Sequence, residues 1–218
     1  MAIIASASGG SDFQLPPAGN HVARCYRIVD MGSHKNKYEN VLRKILITWE
    51  LHGEDDEGNP LTTDDGKPLV VSSNYTLSLS EKATLRAHLE SWRNRAFTLD
   101  ELAGFNLENI LNQYCMVSIS HDAGTAGKTY ANVKAVSPVP SVIKKAGLPE
   151  GINPIFMFSL DDFDQAKFEK LSDGLKKKIM ESPEYKKVTA SAPSKPSKQA
   201  DDGFPKSLKE IDDDIPFN

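Results

Sequence analysis

The sequence predicts a mainly β fold: a small five-stranded barrel with a helical insertion between its third and fourth strands, a helical extension, and a polar tail. Three observations carry this. Five runs rich in β-branched and aromatic residues are separated by turn chemistry. Helical periodicity interrupts them once, after the third run. From Val188 the composition shifts to Ser, Pro, Lys and Ala, too polar to bury a core.

Residues 1–17 are small, polar and Pro/Gly-rich and predict a flexible arm. From His21 to Asp30 the residues alternate, Val22, Arg24, Tyr26 and Ile28 opposite Ala23, Cys25, Arg27 and Val29, which predicts a first strand. Residues 31–40 read as a loop, and Val41–Leu51 as a second strand. Residues 52–67 are turn formers and acids, hence an exposed hairpin loop, and Pro68–Leu79 is the third strand. Ser80 is then a candidate cap for a helix whose apolar face holds Ala83, Leu85, Leu89 and Trp92. Thr98 with Glu101 three residues on forms a capping box for a second helical start. Gln113–His121 and Lys128–Val136 are the last two strands, stopped by Pro138 and Pro140. Three strands, a helical region and two strands is the order of an OB-fold, placed here over residues 18–140.

The extension, 141–187, begins with an apolar segment, Pro149–Leu160, expected either to close against the barrel or to cover a second protomer in a homodimer. Asp161 and Asp162 are candidate caps for a helix ending about Leu171. A basic helix follows from Gly174 to Ser182, where Pro183 should interrupt it. Residues 188–218 are expected to form a disordered linker and acidic tail.

The net charge of -4 argues against a polybasic binder, but the charge is uneven. Residues 201–218 alone carry six acids and two lysines, whereas His21–Trp49 holds six basic residues against two acids. Cys25 and Cys115 lie in apolar strands, the signature of buried reduced thiols in a cytoplasmic protein. No apolar run approaches the length of a membrane span, and the N-terminus lacks the basic flank of a signal peptide.

The chain closes on Asp212-Asp213-Asp214-Ile215-Pro216-Phe217-Asn218. Adjacent carboxylates repel and Pro216 blocks regular pairing, so the run suits an arm that meets a basic surface while Phe217 fills an apolar pocket. Asp212 to Phe217 closely resembles the C-terminal tip of bacterial single-stranded DNA-binding proteins. That resemblance implies an OB-fold that holds single-stranded DNA and a tip that recruits replication, recombination or repair proteins. Asn218 departs from the family pattern, in which Phe is terminal and its carboxylate assists docking. The acidic hairpin, helical insertion and extension resemble, in layout alone, the divergent versions encoded by tailed phages.

The DNA-binding surface is expected first on strand five. Lys128, Tyr130, Asn132 and Lys134 share one face, joining cations for phosphates to an aromatic and an amide for bases. Lys35, Lys37 and Tyr38 in the first loop, with Arg24, Arg27, Arg43 and Lys44 on the flanking strands, extend it. Trp49, Tyr75 and Tyr26 are candidate stacking platforms. The lysines of residues 176–187 are expected either to add phosphate contacts or to receive the acidic tail. Asp122-Ala-Gly-Thr-Ala-Gly-Lys-Thr129 ends like a phosphate-binding loop, but Asp122 replaces the first glycine and a β run follows. No Cys-x-x-Cys or His-x-x-x-His pair suggests a metal, and neither a catalytic triad nor a cofactor is nominated. The alternative function is an adaptor or decoy that uses the tip without holding DNA. A third, a strand-annealing recombinase, requires ring-forming oligomers.

Overall fold

The computed structural model describes residues 14–36, 38–124 and 129–191. Its central strand, β1 (Gly19–Lys35), is hydrogen-bonded to three others. It pairs antiparallel with β2 (Val41–His52) along its length and with β4 (Tyr114–Ala123) through Gly19–Arg24. β3 (Val70–Thr76) adds to β2, and β5 (Thr129–Ser137) adds to β4, giving the order β3-β2-β1-β4-β5. A short β6 (Phe156–Phe158) runs parallel to β1 beside Arg27–Val29. The protein is therefore mainly β. Among the described residues no ladder joins β3 to β5, and the sheet is open there, although Cα atoms of the two strands approach within 8 Å.

The helical insertion stands between β3 and β4, as α1 (Thr84–Arg93), α2 (Leu99–Ala103) and a 3-10 turn at Leu107–Ile110. The predicted capping box forms, with Glu101 N–H donating to Thr98 Oγ1 at 3.3 Å and Thr98 N–H to Glu101 Oε2 at 3.0 Å. Ser80 is not the cap of α1. It lies in a turn whose carbonyl accepts from Ala83 N–H, and Ala83 is the residue before the helix.

The predicted loop 31–40 is mostly strand. A bulge between Asp30 and Gly32 redirects β1, with Gly32 at φ 74° and its N–H donating to Asp30 Oδ1 at 3.0 Å. The turn shrinks to the residues around Asn36–Asn40, where Asn36 Oδ1 accepts from the Tyr38 and Asn40 N–H groups.

The extension adds α3 (Ser141–Ala146), α4 (Gln165–Glu169), α5 (Asp173–Glu181) and α6 (Pro183–Ser191). Asp164 caps α4 through the Ala166 and Lys167 N–H groups, in place of Asp161 or Asp162. Pro183 interrupts the basic helix but opens α6, since the first helical turn needs no N–H from it. That helix continues to Ser191, past the expected start of the linker at Val188. The apolar segment closes on the sheet, as β6 paired with β1.

Two cores result. Ile45, Ile47, Trp49 and Leu51 point into the sheet interior with Cys25, Cys115, Val117 and the α1 residues Leu85, Leu89 and Trp92. On the opposite face of β1 and β2, Val29, Met31 and Leu46 pack against Phe158, Leu160, Phe168, Leu171 and Ile179 of the extension. Residues 45–52 of β2 are consequently buried without interruption rather than alternating. Because both cores share β1 and β2, Phe158→Ala should cost about 3–5 kcal/mol and lower the urea midpoint of one cooperative transition. Two separate transitions in the wild type would show instead that the extension folds alone.

Candidate nucleic-acid interface

The β5 face forms as its alternation requires. Ala131 and Val133 lean on the inner core, which turns Tyr130, Asn132 and Lys134 outward, Tyr130 at 51% exposure. Register places Asp122 of β4 opposite Tyr130, and its Oδ2 accepts from Lys134 Nζ at 2.7 Å and Asn132 Nδ2 at 2.9 Å. Those donors, Lys134 first, hold the Asp122 carboxyl below its ordinary range. The face thus offers an aromatic ring, an amide and a cation already shared with a carboxylate.

Of the other expected cations, Arg24 is a structural group. It is buried and donates through Nε to Glu50 Oε1 at 2.7 Å, through Nη1 to Asn112 Oδ1 at 2.8 Å, and through Nη2 to the Asn153 carbonyl at 2.5 Å. Glu50, with no exposure, also accepts from Ile152 N–H, from Asn153 N–H and Nδ2, and from His52 Nε2. Burial alone would raise its carboxyl, but Arg24 and the Asn153 and Ile152 donors outweigh it and hold Glu50 at about 2. Burial pushes His52 down, against the pull of that carboxylate. Arg43 is committed in a similar way, to buried Asp30 and, at 2.8 Å, to Asp161. Both guanidinium groups are thus engaged by carboxylates, and Arg24 bonds through all three of its nitrogens, where free surface cations were expected.

Lys44 is half-buried and donates to Thr76 Oγ1 at 2.6 Å across the outer face of β2 and β3. Lys35 is exposed and pairs with Glu39, and Tyr38 is 69% exposed in the same turn. Lys37, Lys128 and the tip Asp212–Phe217 lie outside the described residues.

The stacking candidates on β2 and β3 are corrected. Trp49 is 1% exposed and packs on Trp92 with ring centroids 6.3 Å apart; its parity with Ile45, Ile47 and Leu51 turns it inward. Tyr75 is 3% exposed and its hydroxyl meets His88 Nδ1 at 2.9 Å. A base cannot reach either ring. Tyr26, at the first bulge of β1, is half-buried beneath the Arg27 guanidinium at 5.8 Å.

His21 and His121 bond to the carbonyls of Pro17 and Pro16, fastening the end of the N-terminal arm across β1 and β4. Cys25 and Cys115 are buried thiols, raised by burial.

Sequence reasoning missed a groove of about 360 Å³ between the outer sheet face and α5, lined by Met31, His34, Lys44, Asn74, Lys178 and Glu181. The lysine run of α5 was the available signal. Its placement opposite Lys44 depends on the second core, which no local pattern announces.

No protein-family model matches the chain, and no curated protein matches it either. Among the described residues no helix is long and apolar enough to cross a membrane.

The Glu50 network makes a pH prediction. A carboxyl lowered in the folded state stabilises fully above its ordinary value of 4.5, and that contribution is lost as pH falls toward about 2. Glu50→Gln should destabilise the protein at pH 7 by about 3 kcal/mol and show a shallower loss of stability over that acid window. Parallel acid profiles for the two proteins, followed by circular dichroism, would refute the assignment.

Proposed function

We propose that this protein binds single-stranded DNA with little sequence specificity and recruits replication, recombination or repair proteins through Asp212–Phe217. The observation that carries the reading is the terminal run Asp-Asp-Asp-Ile-Pro-Phe, which matches the recruiting tip of bacterial single-stranded DNA-binding proteins over six residues. The strand order supports an OB-type barrel beneath it. β1 pairs with both β2 and β4, the insertion follows β3, and the unpaired edges of β3 and β5 come near one another. Tyr130, Asn132 and Lys134 supply the aromatic and polar mixture that sequence-tolerant binding needs. The setting is the cytoplasm of a bacterial or phage-infected cell, and the layout is that of a phage-encoded version.

One observation favours a second reading, an adaptor that engages host replication proteins without holding DNA. Arg24, Arg43, Lys35 and Lys134 each have a carboxylate partner, which lowers the positive field available to phosphates.

Fluorescence anisotropy of a labelled oligo-dT across a salt series separates the two. The full chain and a chain ending at Ala200 should both bind, with affinity falling as salt rises. Tyr130→Ala should weaken binding by about 1–3 kcal/mol, the value of one stacked base. Absence of binding by both chains at low salt would leave the adaptor reading.

A further inference from the structure

We propose that the groove between α5 and the outer face of β1, β2 and β3 is a nucleotide subsite, with Lys44 and Lys178 gripping the phosphate backbone from opposite walls. The inference rests on the reading above and says where the single strand leaves the barrel: beneath the extension rather than over bare sheet.

The walls come from distant parts of the chain. Ile179 of α5 is fully buried in the second core with Met31 and Leu46, which fixes the helix over the sheet and brings Lys178 to the rim. Lys44 enters from β2, its ammonium steadied by Thr76 Oγ1 at 2.6 Å. That bond uses one of three ammonium donors and leaves two for an anion. His34 is oriented by its Nε2 contact with the Met31 carbonyl at 2.8 Å, so Nδ1 is not engaged by that bond. Met31 gives the groove an apolar floor, and Asn74 an amide that can both donate and accept. Glu181 is the single carboxylate lining it among the described residues. It tempers the field against a free, doubly charged phosphate and offers an acceptor to an exocyclic base amine. A volume of about 360 Å³ sits at the small end of the ~300–1,000 Å³ usual for ligand clefts, room for one nucleotide unit.

Two further features favour a passing strand over an isolated anion. Register sets Lys44 beside Thr76, and Ser72 and Asn74 stand exposed on the same face of β3, so β3 presents a polar row beside the groove. β3 in turn lies within 8 Å of β5, which carries Asn132 and Lys134. Residues 170–187 also hold six lysines against three acids, a positive surround for a polyanion.

The test is oligo-dT binding against salt for the full-length wild type, Lys178→Ala, Lys44→Ala and Lys177→Ala. Lys177 is the neighbouring lysine on α5 and does not line the groove. Each groove lysine that holds one phosphate contributes about 0.7 to the slope of log affinity against log salt on a single strand. Its removal should weaken binding roughly eightfold at 0.05 M salt, since that slope acts over a twentyfold range up to 1 M. Lys178→Arg should restore most of the loss. Glu181→Gln should tighten binding. An unchanged urea midpoint for Lys178→Ala excludes an effect through folding. If the wild type binds and Lys178→Ala matches it, or if Lys177→Ala loses as much, the subsite is refuted while the DNA-binding reading stands. If the wild type itself does not bind, the reading beneath it fails first.

Discussion

A carboxylate with no access to water, Glu50, governs how the two parts of this protein meet. Removing such a charge from solvent costs several kcal/mol unless donors replace the lost water. Here the donors come from β1 (Arg24), β2 (His52) and the extension (Ile152 and Asn153). None of the three segments can withdraw without stranding the charge. Gly151 is the corollary: a Cβ there would sit 2.0 Å from Arg24 Cζ, so the chain passes the guanidinium only without a side chain. Asp30 repeats the device at the other end of the strand, holding Arg43, Gly32 N–H and Leu160 N–H. The seam is tight at Gly32 as well, whose Cβ would meet Ser182 at 2.4 Å.

These pairs also decide which cations remain for a ligand. Arg24 of β1 and Arg43 of β2 face carboxylates where the extension meets the sheet. The lysines stay toward solvent, where a long flexible stem and a compact charge suit transient contact with a moving polymer. Arg93 follows the arginine pattern in the helical insertion, stacked over Phe97 and Phe105 at 4.4 and 4.9 Å and bonded to Glu101.

Much of the fold was legible locally. Runs of β-forming residues located the five long strands, and the Thr98–Glu101 box located α2, because both signals arise within a few residues. The errors share a different origin. Met31-Gly-Ser-His-Lys looked like a loop because its strand is made by a bulge and by docking against α5 and α6, contacts some 150 residues away. The unbroken burial of β2 likewise depends on the extension. Among site residues, the outward set Tyr130, Asn132 and Lys134 followed from parity with Ala131 and Val133. Parity also held the correct answer for Trp49, which shares a face with Ile45 and Ile47; large size and aromatic chemistry drew attention away from it. That Arg43 serves Asp161 was beyond local reach, since the two are 118 positions apart.

β6 pairs with β1 across more than 120 residues, and two of the residues that donate to Glu50, Ile152 and Asn153, lie about 100 residues downstream of it. On a ribosome, where domains mature from the N-terminus, the hairpin of β1 and β2 emerges long before its last partners. Until Asn153 clears the exit tunnel, the hairpin carries a carboxylate that it cannot bury alone, and the outer face of Val29 and Leu46 stays bare. Full satisfaction of Glu50 therefore waits on synthesis of the extension. A chain released early would expose a strand pair whose two faces are both built for burial, the surface a nascent protein must keep from its neighbours.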